Sequence, residues 1–281
     1  MFTRKTTIFL SSFYFVVVIC SATLTIKNPA VWAQLKTPEA FSAWLLRQPF
    51  GHTTDKSTKH AYESVYWKFI AGLNQRGRLT AGNTPVRIME IGLGCFMKNG
   101  PGGSALLWRA LISSAKIHFF EYNKECGSEW AAKHTDLDVH LSFGDQSIPQ
   151  DLLAAVRNSF LADGEVEEGF DLIVDDGSHV NEHQLVSLMT LWKYIRPGGM
   201  YVVEDIHASC KTWKVPGTSL KAGGTSGCLE TQAGKPTFYA HILKFLPGMI
   251  SNRDYQPSEL PGLESVEFHH ESVVLVKRSA K

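Results

Sequence analysis

From Val86 onward, short runs of apolar residues alternate with longer stretches in which apolar positions recur at helical spacing. The pattern predicts strands over Val86 to Ile91, Lys116 to Phe120, Asp138 to Phe143, Phe170 to Val174 and Met200 to Val203. Between them it predicts helices over Ser104 to Ser113, Ser128 to His134, Pro149 to Phe160 and Glu182 to Ile195. Strict strand and helix alternation calls for a parallel sheet covered by helices on both faces. Two further strands, Leu263 to His269 and Ser272 to Lys277, are separated only by His270-Glu271, a connection that allows only an antiparallel pair. The expected fold is therefore α/β, with a Rossmann-like, mostly parallel sheet of seven strands closed by an antiparallel carboxyl-terminal hairpin.

Other stretches depart from that alternation. Residues 34–85 are expected to form an amino-terminal helical region ahead of the main domain at 86–281. Thr37 caps a helix that opens at Pro38 and runs to about Arg47, and Tyr62, Val65, Tyr66, Phe69, Ile70 and Leu73 mark one face of a second. Residues 208–236 have almost no periodicity and contain five glycines. A loop of that length is a substrate lid, with Trp213 as an acceptor contact, or else a flexible surface insertion. Thr237 to Leu246 resumes helical spacing.

Residues 1–33 are set apart by an apolar run, Ile8 to Leu24, that follows Arg4 and Lys5, with no acidic residue before Glu39. This fits a cleaved secretory signal or a signal anchor, and the long aromatic and β-branched middle favours the anchor. The expected location is the secretory pathway membrane, with a luminal body, or outside the cell if the signal is cleaved. Cysteine usage bears on this. Of the five cysteines, Cys20 lies in the apolar run; Cys210 and Cys228 bracket the glycine-rich loop, and Cys95 and Cys126 follow neighbouring strands. Two disulfides or four buried thiols both fit. A formal net charge of +1 leaves no electrostatic footprint for nucleic acid.

Candidate chemistry gathers at the strand ends, where open α/β sheets place their sites. The first strand runs into Glu90-x-Gly92-x-Gly94, the second ends at Glu121 and the third at Asp145-Gln146. Glycines next to a helix start let a ligand approach the backbone, and an acid ending the second strand suits a ribose diol. A dinucleotide would require a tight Gly-x-Gly-x-x-Gly turn, whereas here a long excursion follows Gly94, and Glu90 would repel phosphate. An acid beside the loop suits a cationic ligand, which favours S-adenosylmethionine over NAD. The fourth strand leads into Asp175-Asp176-Gly177-Ser178-His179 and the fifth into Glu204-Asp205. Several acids converging unpaired would repel one another unless a cation were present. Hard oxygen ligands delivered by two strand ends suit Mg²⁺ with positions open for substrate hydroxyls, and a histidine three residues beyond Asp176 is placed to take a proton; Asp175 either shapes the turn or contacts the cofactor.

These motifs resemble those of class I S-adenosylmethionine-dependent methyltransferases. Within that group the chain, from about Thr54 to Lys277, resembles the metal-dependent sugar O-methyltransferases of macrolide biosynthesis (mycinamicin type) and their fungal relatives. The more specific residues are Thr54-Asp55-Lys56 with His60 and Tyr62, Asp175 to His179, and Arg196-Pro197-Gly198-Gly199 leading to Glu204-Asp205. The resemblance implies that Asp176, Glu204 and Asp205 bind Mg²⁺, that His179 is the base, and that a hydroxyl of a sugar or other secondary metabolite accepts the methyl group. The loop after Gly94, Cys-Phe-Met-Lys-Asn, departs from the bacterial pattern. Two other readings stay open: N-methylation of a peptide-derived natural product, and a non-catalytic, membrane-tethered protein that binds the cofactor. His183, His207, His269 and His270 are expected at the surface or in packing, with His207 alone near the site.

Overall fold

The computed structural model of the chain describes residues 35–79, 84–164, 169–215, 218 and 221–280. The apolar run Ile8 to Leu24 lies outside the described residues. Among the described residues, no helix is long and apolar enough to cross a membrane.

Two helices, α1 (Pro38–Leu46) and α2 (Glu63–Gln75), precede the sheet. The Thr37 side chain accepts from the Ala40 N–H, as the cap position requires. The main domain then runs β1 (Arg87–Ile91), α3 (Gly103–Leu111), β2 (Lys116–Glu121), α4 (Lys124–Lys133), β3 (Val139–Phe143), α5 (Pro149–Asp163), β4 (Phe170–Asp175), α6 (Asn181–Leu191) and β5 (Ile195–Val203). A two-stranded ribbon follows, β6 (Thr212–Lys214) with β7 (Lys221–Gly223), then α7 (Phe238–Leu243), α8 (Leu246–Ser251), β8 (Leu263–His269) and β9 (Ser272–Lys277). The seven-stranded sheet has the order β3-β2-β1-β4-β5-β9-β8. Strands β1 to β5 pair in parallel, while β9 inserts antiparallel between β5 and β8. This is the architecture the alternation predicted, a Rossmann-like, mostly parallel sheet closed by an antiparallel hairpin.

The period of two along each strand sorts side chains into two cores. Ile88, Leu172, Val174, Met200 and Val202 pack on one face with α1, α2 and α3. Met89, Ile91, Ile173, Tyr201 and Val203 pack on the other with α5, α6 and α7. The same alternation sends Glu90 and Glu204 toward α2 and α3, and Asp175 toward α6.

Differences from the predicted elements have local causes. Helix α4 opens four residues before the predicted start because the Asn123 side chain caps it by accepting from the Cys126 N–H; its first turn carries no apolar period to reveal this. The helix predicted over Glu182 to Ile195 ends at Leu191. A 3₁₀ turn at Trp192–Tyr194 follows, and the buried Ile195 then pairs with Phe170 as the first residue of β5. Both cysteine pairs form disulfides, Cys95 with Cys126 and Cys210 with Cys228.

Candidate active site

Three strand ends and one loop build the site. The loops after β1, β4 and β5 meet residues 53 to 62, which connect α1 to α2. A cleft is lined by Thr53, Thr54, Asp55, Gly92, Gly94 and Ser104, with Asp176 also on its wall. Gly92 has φ +96°, and a Cβ there would lie 2.2 Å from the carbonyl oxygen of Asp176, so glycine is what lets the β1 and β4 loops touch.

The other residues expected on the cofactor side are placed as follows. Glu90 is fully buried and accepts from the indole of Trp108. Glu121 pins the glycine loop, its two oxygens accepting from the N–H groups of Leu93 (2.8 Å) and Asn123 (2.7 Å). Asp145 accepts from the N–H and hydroxyl of Ser147 at 2.8 and 2.7 Å. The amide of the buried Gln146 donates to Asp175 (2.7 Å) and Ser187 (3.0 Å), and its carbonyl accepts from the Ser178 N–H (3.0 Å). Gln146 thereby braces the loop after β4. Asp175, whose role the sequence leaves open, is buried in that brace, and burial raises its pKa to about 6 against the opposing bond from Gln146.

Lys56 is the hub of the acidic cluster. It is fully buried, and its Nζ lies 2.7 Å from Glu204 Oε1, 3.2 Å from Asp176 Oδ2 and 3.3 Å from Glu90 Oε1. Burial alone would lower its pKa, but the carboxylates of Glu204 and Glu90 outweigh it and hold the ammonium well above its ordinary range. The Tyr66 hydroxyl also donates to Glu204 Oε1. Burial raises the pKa of both Glu204 and Glu90 against the opposing charge of Lys56, so the cluster is held by one shared ammonium rather than by separate ion pairs.

The residues expected to hold a metal separate into two environments. Asp176, His179 and Asp205 each bring one ligand atom to within 4.8 Å of the others. His179 Nε2 is 3.3 Å from Asp205 Oδ2 and 3.9 Å from Asp176 Oδ1. Glu204 instead is engaged by Lys56 and Tyr66, both through Oε1. His179 and Asp205 both sit in the left-handed region, at φ +54° and +52°. Neither is a glycine, and strain of that kind concentrates where a side chain must be aimed. Burial pushes the Asp205 carboxyl up, yet the imidazoles of His179 and His60 prevail and hold its pKa below the ordinary value. The two carboxylates at this spacing fit Mg²⁺, which is commonly held by one or two carboxylates with water or substrate completing the shell, and the imidazole of His179 stands beside them rather than among the ligands.

Several residues at the site had no role read from the sequence. His60 and Tyr62 lie in the quoted Thr-Asp-Lys segment, and Tyr62 donates to Asp205 Oδ1 at 2.8 Å. Glu271, in the tight turn between β8 and β9, reaches His60 at 2.6 Å across 211 residues of sequence, a contact with no local signal. Trp213, by contrast, was expected as an acceptor contact; it lies on the β6–β7 ribbon and stands edge-on to His179 with ring centroids 5.3 Å apart.

No family model matches the chain. It is similar to the 8-demethyl-8-alpha-L-rhamnosyl tetracenomycin-C 2'-O-methyltransferase of Streptomyces olivaceus, at 29% identity over 159 residues, covering 56% of this chain and 36% of that protein. It is also similar to the demethylmacrocin O-methyltransferase of Streptomyces fradiae (32% identity, 44% of this chain, 28% of that protein). A third relative is the mycinamicin VI 2''-O-methyltransferase of Micromonospora griseorubida (31% identity, 44% and 28%). The chain thus spans about a third of the length of these relatives. Among solved structures it matches the MycE methyltransferase from the mycinamycin biosynthetic pathway in complex with Mg and SAH. That match has a TM-score of 0.60 at 22% identity, covering 85% of this chain and 55% of that one. The match to MycE with Mg, SAH and mycinamycin VI has a TM-score of 0.57 at 24% identity. These likenesses establish the fold.

Proposed function

We propose that the chain transfers the methyl group of S-adenosylmethionine to a hydroxyl on the sugar of a small secondary metabolite, with Mg²⁺ assisting. The observation that carries this reading is the convergence of Asp176, His179 and Asp205 beside the Gly92–Gly94 cleft in a methyltransferase fold. The relatives named above are O-methyltransferases of rhamnosylated tetracenomycin, demethylmacrocin and mycinamicin VI, and MycE was solved with Mg and SAH.

Bound S-adenosylmethionine supplies an electrophilic methyl group on a sulfonium, and Mg²⁺ supplies positive charge that acidifies a neighbouring hydroxyl. The chain's own residues do the rest. Gly92 and Gly94 let a ligand approach the backbone at the cleft wall, and Glu121, which holds that wall in place, would be the acid that binds the ribose. Asp145, at the end of β3, would border the adenine, with the buried Gln146 bracing the loop beside it. Asp176 and Asp205 would hold the metal, and since Lys56 and Tyr66 both contact Glu204 at Oε1, Glu204 would have Oε2 left to join them. His179 takes the acceptor's proton at Nε2, with Asp205 3.3 Å away to stabilise the imidazolium. The body faces the secretory lumen, a placement supported by the apolar Ile8 to Leu24 run and by two disulfides.

The test is transfer of labelled methyl from S-adenosylmethionine to demethylmacrocin, mycinamicin VI and related glycosides. Label should appear on a sugar oxygen, vanish with EDTA and return with Mg²⁺. Activity that survives both EDTA and Asp176→Asn would remove the metal from the reading. Absence of calorimetric binding to either S-adenosylmethionine or its homocysteine product would remove methyl transfer altogether. Protease protection of the body in sealed microsomes tests the luminal placement.

A further inference from the structure

Asp205 presents its two oxygens to two different clusters. Oδ2 faces His179, while Oδ1 faces a second set made of His60, His207 and Glu271. Around this second set, His60 Nδ1 lies 2.6 Å from Glu271 Oε2 and 3.6 Å from Asp205 Oδ1, and His207 Nδ1 lies 3.4 Å from Glu271 Oε1 and 3.7 Å from Asp205 Oδ1. Ligands about 2.1 Å from a tetrahedral ion are about 3.4 Å from one another. Three of these four contacts are near that spacing; the two to Glu271 use its different oxygens, His60, Asp205 and Glu271 each bring one ligand atom to within 4.8 Å of the others, and His207 stands beside that trio.

We propose that His60, His207, Asp205 and Glu271 form a second cation site, distinct from the one at Asp176 and His179, for a borderline divalent transition metal of the Zn²⁺ type. Two imidazoles and two carboxylates are a donor set for zinc-like ions and a poor one for Mg²⁺, which favours oxygen alone. Independent observations support an ion here. His207 Nδ1 is buried between the two carboxylates without a hydrogen bond, so its position is not explained by the bonds around it. His60 is 8% exposed, and its other nitrogen, Nε2, also lacks a hydrogen bond while facing the Asp55 carboxylate at 3.7 Å. A carboxylate behind the far nitrogen of a histidine is the usual means of orienting a metal-binding imidazole. The Tyr62 hydroxyl, donating to Asp205 Oδ1, fixes the shared carboxylate. Bound there, the ion would tie together three segments distant in sequence: the loop before α2, the turn after β5 and the β8–β9 turn. Asp205 would bridge the two sites, so the second ion would also set the aim of a ligand to the first.

Cobalt(II), a spectroscopic stand-in for zinc, tests this on the full chain stripped with EDTA and kept free of Mg²⁺. One equivalent should bind with a visible spectrum of low-coordinate, nitrogen-ligated cobalt and raise the melting temperature. His60→Ala and His207→Ala should abolish that spectrum and shift, and Asp176→Asn should retain both. Asp55→Asn should weaken cobalt binding about 10- to 100-fold with the spectrum preserved. His207→Gln serves as a milder second variant, and variants are compared only where their metal-free melting temperatures match the parent chain. Cobalt that fails to bind the parent chain, or a spectrum lost in Asp176→Asn and kept in His60→Ala and His207→Gln, overturns the proposal. In that event the cluster is a hydrogen-bonded brace for Asp205.

Discussion

At the scale of single residues, Lys56 bears on stability and His179, as the proposed base, on chemistry. Lys56 neutralises carboxylates that would otherwise be buried without a partner. Lys56→Met should therefore destabilise the chain by about 3–5 kcal/mol in EDTA, because an unpaired buried charge is costly. Mg²⁺ should restore part of that loss, since Asp176 is common to both cations; urea unfolding with and without Mg²⁺ measures it, and a metal-independent loss would contradict the shared role. His179→Ala should lower turnover about 100- to 10,000-fold, the usual worth of a general base, while leaving S-adenosylmethionine affinity unchanged by calorimetry. An equal loss of cofactor binding would show that His179 shapes the cleft rather than moving a proton. The juxtaposition of His179 and Asp176 was legible from sequence because a strand end followed by acids and a histidine is a local signal. Lys56 was not: its partner Asp176 is 120 residues away, and only the folding of the 53–62 loop over the sheet edge gives it a role.

At the scale of elements, the two disulfides serve different halves of the site. Cys95–Cys126 joins the glycine-rich loop to α4 across a separation of 31 residues, and Cys210–Cys228 closes the segment that carries the β6–β7 ribbon across 18. Loops of this size imply about 3–4 kcal/mol each from chain entropy. Replacing Cys210 and Cys228 by serine should raise KM for the acceptor far more than for S-adenosylmethionine, because Trp213 on that ribbon covers His179. The Cys95 and Cys126 pair should show the reverse, and steady-state kinetics with each substrate varied separately decides between them. The ribbon itself was read as a structureless stretch. Its strands are three residues long, too short for alternation to register, and the pairing of Thr212 to Lys214 with Lys221 to Gly223 depends on the disulfide and the 3₁₀ turn beside it.

At the scale of the whole molecule, a buried ionic cluster on the side of the sheet away from the site should contribute to acid stability. Asp163, at the end of α5, meets Arg87 of β1 at 3.2 Å and His118 of β2 at 3.1 Å. Burial raises the Asp163 carboxyl, but the bond and charge of His118 and the charge of Arg87 prevail and lower its pKa. A carboxyl whose folded pKa is depressed contributes stability that is complete above its unfolded value, near 3.9, and is lost as pH falls through the folded one. Burial likewise lowers the pKa of His118, so protonating it between about pH 6.5 and its folded value also favours unfolding. Melting temperatures should fall below about pH 6.5 and again below about pH 4, and Asp163→Asn should flatten the lower limb. An unchanged acid limb in that variant would assign it to other carboxylates. By itself the sequence determined the seven-stranded α/β sheet, the carboxyl-terminal hairpin and the strand-end acids. Hydrophobic period and turn residues act within a few positions, and a parallel sheet delivers every strand end to one edge whatever the loops do. The tertiary structure decided which carboxylates face each other, that Glu204 is bound to Lys56 rather than gathered with Asp205, and that His60 and Glu271 meet beside the site. Those outcomes depend on which face of a strand each side chain takes and on packing between segments hundreds of residues apart, for which no local pattern exists.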